Sequence, residues 1–500
     1  MKKMKIISLV LTVTTIAFLL SGCAGKDAGV FGELRYGFTT EPTTLDPLNP
    51  ANTADGRSIL FNVFEGLVKP NTDGTFQPCI AQSWIIEQDG RVYKFKLREN
   101  VLFHDGAAVT PSDVKFSIDT AITAGFTGLN NIEDVIITPD NHLTLILKTP
   151  DLDFFPYLTT AVVKAEITDR EKTMTGTGPF YIDSYSPQRN LVLKKFDNYW
   201  QEGLPHLNKV TLVFFANYDT LMVALRGGSI DGTFITGSMA AQLDSEQFDI
   251  FNNRSAGVQL LALNNNSAPL NDIRVRRAIN YGIDVQGIID TAFFGQGKPS
   301  GSPIIPGLSV YYDNTLSYSY NTQTAIELLS QAGYNNSNRV SLEITVPSNF
   351  TMHVDTAQVI ASQLERIGIN ASIKLVDWST WLSDVYFGRQ YQATIITLDS
   401  SSVSARSFLS RYRSDAGDNF INFNSADFDR VFDAAASESN INERIRLYKE
   451  AQKIITEAAA SVYIQDILYF IALRKGAYGG ALDYPLYVID FASIYGIKSN

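Results

Sequence analysis

The stretch Val101-Leu102-Phe103-His104-Asp105-Gly106 sets a histidine beside an aspartate, the residue types of an acid–base pair or of half a metal site. Its flanks favour a plainer role. Upstream, Tyr93, Phe95 and Leu97 alternate with Lys94, Lys96 and Arg98, the period-two pattern of a half-buried strand. Downstream, Thr110, Pro111 and Asp113 spell a helix start: an N-cap, a proline at the first helical position, and an acid three residues on that closes a capping box. Asp105-Gly106 then lies in a strand-to-helix connection, where glycine permits positive φ. His104 reads as a turn residue that serves the fold, not as a catalyst.

The remaining reactive types are scattered. His104, His142, His206 and His353 have no ligand spacing, so neither a zinc nor a haem site is expected. H-E-x-x-H, G-x-S-x-G, G-x-x-x-x-G-K-[ST] and C-x-x-C are missing from the chain. The expectation is a protein that is not an enzyme, with no catalytic residue, no cofactor and no metal. Cys79, in "FQPCIAQSW", reads as a small buried hydrophobe.

Cys23 is a different matter. "MKKMK" is a positively charged opening, "IISLVLTVTTIAFLL" an apolar core too short for a comfortable membrane span of about 20 residues, and Leu20-Ser21-Gly22-Cys23 follows at once. That order looks like a bacterial lipoprotein signal peptide over residues 1–22, with Cys23 lipid-modified as the first mature residue. The protein is therefore expected outside the cytoplasm, lipid-anchored on the extracytoplasmic face of a bacterial membrane. Loss of residues 1–22 removes Lys2, Lys3 and Lys5 and makes the chain more acidic than its formal −11, so nucleic acid is not an expected partner. The remainder is long enough for two or three domains.

Stepping along the chain, landmarks recur in a fixed order: Leu45-Asp46-Pro47, Glu65-Gly66-Leu67, Pro78 to Trp84, Lys94 to Arg98, and Phe103 to Val114. Further on come Gly176-Thr177-Gly178-Pro179-Phe180-Tyr181, "FDNYWQEGLPHLNKVTLVFF" and "LNNNSAPLNDIRVRRAINYGID". Around them the periodicity predicts a helix over 57–68, a helix in "NTQTAIELLSQAGY" ended by Gly333, and a helix, turn and strand in "DTAQVIASQLERIGINASIKLVDW". The order of landmarks resembles family 5 of the extracytoplasmic solute-binding proteins, the peptide- and nickel-binding components of ABC importers. The resemblance covers essentially the whole mature chain.

That resemblance implies an α/β, two-lobed periplasmic-binding-protein-like fold with an extra α+β domain inserted in lobe I. The expected division is 30–52, 175–262 and 483–500 for lobe I, 53–174 for the inserted domain and 263–482 for lobe II, with chain crossings near 262 and 483 as the hinge. The implied function is capture of a small solute, an oligopeptide first, and its delivery by hinge closure to ABC permease subunits with cytosolic ATPases; the protein would act as a monomer. A nickel or other metal chelate, another small solute, or a sensor role are the alternatives.

Ligand-binding candidates follow from the same resemblance. In peptide-binding members a strand ending in W-x-x-D supplies an aspartate for the peptide α-amino group. Here the matching stretch is "TIITLDSSSVSARSFLSRYRS", with Ser401 at the aspartate's place, Asp399 two places earlier and Arg406 beyond, where an arginine could hold a carboxylate. Phe126, Trp378 and Trp381 are candidates to line the cleft, and Thr53 and Asp55 lie in a loop expected to face it.

Overall fold

The computed structural model describes residues 32–497 except Ala51, Thr127, Thr168, 400–403, Asp483 and 485–487. The signal segment, Cys23 and Ser401 lie outside the described residues.

Two long antiparallel strands, Phe248–Leu263 and Ser461–Arg474, form the spine of the molecule, paired from Phe248 opposite Arg474 to Ala262 opposite Ser461. Their two halves belong to different parts of one sheet. Toward Arg474 the sheet continues through Gly232–Thr236, Glu33–Phe38, Lys209–Phe214, Asn190–Lys195 and Phe180–Ser186; toward Leu263 it continues through Ala393–Asp399, Val340–Pro347 and Ile369–Val376. The register shifts between Arg254 and Val258 and again between Gln259 and Leu260. The chain thus passes from one half to the other near 254–258 and 466–468, and not near 262 and 483 as expected from the sequence. The crossing is made inside two paired strands, so ladder bonding continues on both sides of the irregularity.

Strand alternation explains how one half of the sheet carries two cores. Val258, Leu260 and Ala262 point to one face, packed with Phe428, Tyr448 and Ile455, while Leu261 and Leu263 point to the other, packed with Ile279, Leu342 and Leu364. The other half shares its core with a separate four-stranded sheet, Ala81–Glu87, Val92–Leu97, His142–Leu147 and Ile132–Thr138 in that order. Tyr36 and Leu212 from the large sheet, Phe95 and Leu145 from the small one, and Val114 from the helix Pro111–Thr123 belong to a single apolar cluster, which Phe491 and Ile494 join near the chain's end.

The helix expected over 57–68 is shorter and earlier, Ala54–Leu60, and the strand Val68–Pro70 begins where the helix was to end. Ile59, Leu60, Val63, Phe64 and Leu67 are all buried as their spacing demands. Backbone packing overrides the helical period at Gly66, where an added Cβ would lie 2.5 Å from the Leu158 carbonyl oxygen.

The recurring landmarks converge in space. Glu65, buried, accepts hydrogen bonds from Tyr199 Oη at 2.7 Å, Trp200 Nε1 at 3.0 Å and Thr177 Oγ1 at 3.3 Å, so three landmark segments meet on one carboxylate. Arg98 lies over the Trp200 ring at 4.3 Å and donates to the Cys79 carbonyl at 2.7 Å. Cys79 is a free, buried thiol, as expected. His104 clamps the Gly176–Gly178 turn: its Nδ1 accepts from the Gly176 N–H at 3.2 Å and its Nε2–H donates to the Gly178 carbonyl at 3.0 Å. Thr110 and Asp113 form the expected capping box, and Gly106 has φ +87°.

Candidate binding cleft

The topology brings two sets of strand ends face to face. Glu33–Phe38 runs parallel to Lys209–Phe214 and Gly232–Thr236, and Thr236 is paired with Tyr469, so their carboxyl ends lie beside the 466–468 junction. Val340–Pro347 runs parallel to Ile369–Val376 and Ala393–Asp399; Gly257 opposite Asp399 and Val258 opposite Asp466 set these carboxyl ends against the same junction from the other side. Carboxyl ends of parallel strands are where open α/β sheets bind ligands, because the loops there are free to carry polar and aromatic groups.

On the first wall, Thr53 caps the helix Ala54–Leu60 by accepting from the Gly56 N–H at 2.9 Å and donates to the Glu41 carbonyl at 3.4 Å. Its hydroxyl positions the rim at residues 39–41. Asp55, in the first turn, is buried among tyrosines. Burial raises the hydroxyl pKa of Tyr36, Tyr218 and Tyr469, and the nearby Asp55 charge adds to each rise.

The second wall is aromatic. Trp378 and Trp381 stack face to face at 5.0 Å and 6°, with Phe350 edge-on to Trp378 at 5.4 Å. Trp381 is buried and its indole N–H is fixed on Thr394 Oγ1 at 2.9 Å, while Trp378 keeps 39% of its surface exposed. A flat apolar face on an immobile support can stack on a ligand without losing much side-chain freedom. The wall is tied to the spine: Phe350 packs on His353 at 5.5 Å, Gln259 Nε2 donates to His353 Nδ1 at 3.1 Å and to Thr356 Oγ1 at 3.1 Å, and Gln465 donates to Gln259 Oε1 at 2.8 Å. Burial drives the His353 pKa down to about 4, so the ring is neutral.

Asp399 is the last residue of its strand and stands at the same edge. Arg406 is the second residue of the next helix, Ala405–Leu409, and its guanidinium is engaged by Asp151 at 2.5 Å. Phe126 follows the helix Pro111–Thr123 and packs against the core shared with the four-stranded sheet, so it is not brought together with the strand ends. The structure adds Tyr218 and Phe350 to the candidates, with His353 as the buried support behind Phe350. Phe350 lies just beyond a strand that ends in Pro347, a position that the strand pattern alone could have marked.

A second depression, about 750 Å³, is lined by Asn264, Arg389, Gln392 and Asn422 at the opposite, amino-terminal edge of Ala393–Asp399. Its amides are spent on each other: Asn422 donates to Asn264 Oδ1 at 2.8 Å, and Asn264 to the Tyr391 carbonyl at 2.8 Å. Among the described residues no group of three or more His, Cys, Asp or Glu is placed to hold a metal, and no helix is long and apolar enough to cross a membrane.

Residues 75–420 match the family described as "Bacterial extracellular solute-binding proteins, family 5 Middle". Among curated proteins the chain is 24% identical to "Heme-binding protein A" of Haemophilus influenzae, covering 90% of each chain, and 26% identical to "Glutathione-binding protein GsiB" of Salmonella paratyphi A, covering 83% of this chain and 85% of the other. Among solved structures it superposes on HbpA2 from Haemophilus parasuis with a TM-score of 0.84 at 22% identity, over 93% of this chain and 99% of that one.

Proposed function

The chain belongs to family 5 of the bacterial extracellular solute-binding proteins, whose members deliver peptides and related solutes to ABC importers, and from that membership we propose that this protein captures a short peptide between its two sets of strand ends. What carries the reading is the convergence of acids and aromatics from two walls at one junction: Asp55 among tyrosines on one side, a supported tryptophan face and the strand-end Asp399 on the other. A peptide offers both partners, an ammonium group for an acid and side chains for an aromatic platform. Ligand that touches both walls favours the arrangement in which they are close, by the difference in its affinity for the two arrangements. No bond is made or broken. The proposed lobes are 30–52, 175 to about 256 and about 467–500 on one side and about 257–466 on the other, with 53–174 inserted; these crossings replace 262 and 483, and the change of partner strands along the spine supports them.

Native mass spectrometry of the purified protein tests the cargo. The expected result is a retained mass that fragments as a short peptide; a retained porphyrin or metal chelate would overturn the peptide assignment. That second class is the runner-up, favoured by the flat Trp378 face and by the relative named for heme.

Delivery to a permease is helped by a tether that raises local concentration. Cys23 is proposed as that anchor, holding a monomer on the extracytoplasmic face of the membrane. Cys23→Ala protein should appear without acyl chains, uncleaved or released; a cleaved Cys23→Ala protein that stays on membranes through a high-salt wash would refute the anchor.

A further inference from the structure

A second place where the two lobes meet lies away from the spine. The loop after His142–Leu147 carries Asp151 and Asp153, both buried. It is held by its own unit: the Tyr93 hydroxyl donates to the Asp151 carbonyl, the Asp151 N–H donates to the Gly90 carbonyl at 3.0 Å, and the Asp153 N–H donates to Asp151 Oδ1 at 3.0 Å. The groups opposite come from the 257–466 part of the chain. Asp151 meets Arg406 at 2.5 Å, Asp153 accepts from the Tyr448 hydroxyl, Arg444 is buried beside Asp153, and Tyr311 packs edge-on to Tyr448 at 5.8 Å. All the acids are on one side and all the arginines on the other. Burial works against the charge on Arg406, and Asp151, Tyr448 and Asp153 more than offset it.

We propose that Asp151 and Asp153 with Arg406, Arg444 and Tyr448 form an interlobe latch that sets how often the lobes close, independently of cargo. The inference rests on the reading that the lobes move. When the lobes part, both sets of charges regain water, so the intact latch favours closure only modestly and lets go. When one acid is removed, its arginine is still desolvated in the closed arrangement and hydrated in the open one, so closure alone is penalised. An open-to-closed ratio shifted about tenfold then lowers the apparent affinity for every cargo in proportion to the lost closed fraction. On this view Arg406 acts through closure and not by holding a cargo carboxylate.

The test is an interlobe distance distribution on cargo-free mature protein, with spin labels on Val223→Cys and Ile326→Cys, exposed positions on opposite lobes. Asp151→Asn and the double variant Asp151→Asn/Asp153→Asn should lengthen the distance, and the charge swap Asp151→Arg/Arg406→Asp should restore it. Restoration by the swap also separates a lost latch from a damaged fold. If the wild-type distance varies with conditions but the double asparagine variant leaves it unchanged, the latch is overturned while moving lobes stand. A single narrow distance under all conditions, in low and in high salt, would overturn both. A fall in affinity with Arg406→Ala that Asp151→Asn does not share would also overturn the latch, because Arg406 would then be a cargo contact.

Discussion

His104 shows what burial does to a residue that looks reactive. Burial holds its pKa down to about 4, against about 6.5 for a free histidine, and its two nitrogens are already committed to Gly178 and Gly176. A protonated ring would turn an N–H toward the Gly176 N–H. The unfolded chain therefore takes up the proton first: the stabilisation is complete above about pH 6.5 and is lost as pH falls toward 4, on the order of 3 kcal/mol for this residue and as much again for His353, whose pKa is also about 4. Urea unfolding at pH 7, 5 and 4 should show wild-type stability falling through that window. His104→Ala should be less stable at pH 7 and fall less steeply; parallel pH profiles for the two proteins would refute the assignment. His104 was legible as a structural residue from its flanks. Its partners were not, because the Gly176–Gly178 turn lies more than 70 positions away.

At the scale of elements, local signals held wherever the physics is local. The helix Thr322–Gln331 ends before Gly333 at φ +92°, and Thr351–Glu365, Gly368 and Ile369–Val376 follow as the pattern of apolar residues and glycines implies. The segment 54–68 did not obey its period, since the close approach of Gly66 to Leu158 and the hydrogen bonds to Glu65 are tertiary demands. The capping box at Thr110 offers a measurement at this scale. Its hydroxyl accepts from the Asp113 N–H at 3.3 Å and donates to Asp113 Oδ2 at 2.6 Å, and Asp113 also accepts from the Ala165 N–H at 2.9 Å. Thr110→Ala should cost about 1 kcal/mol and Thr110→Ser a few tenths, while Asp113→Ala should cost more than Thr110→Ala because it also releases the 165 segment. Equal denaturation midpoints for Thr110→Ala and Asp113→Ala would show that the contact to Ala165 contributes nothing.

At the scale of the molecule, what escaped the sequence is the pairing of distant walls. Asp153 and Tyr448 are 295 positions apart and no local pattern announces that they meet. The same distance makes the lobes' contributions separable by experiment. A substitution that changes closure without touching cargo multiplies every dissociation constant by one factor, whereas one that removes a cargo contact gives a factor that depends on the cargo. Calorimetric titration with the peptide identified by mass spectrometry, and with the same peptide acetylated at its amino terminus, distinguishes them. Arg406→Ala and Asp151→Asn should weaken both ligands by a similar factor. Trp378→Ala should weaken both by about tenfold, the scale of a lost aromatic contact. Asp399→Ala should act on the free-amine peptide alone, by about two to three decades if it neutralises a desolvated ammonium group. If Asp399→Ala stays within about fivefold for both ligands, the range of an exposed pair, the ammonium is met elsewhere. Asp55 on the opposite wall is then the next acid to substitute, since it already lies among Tyr36, Tyr218 and Tyr469 at the same junction.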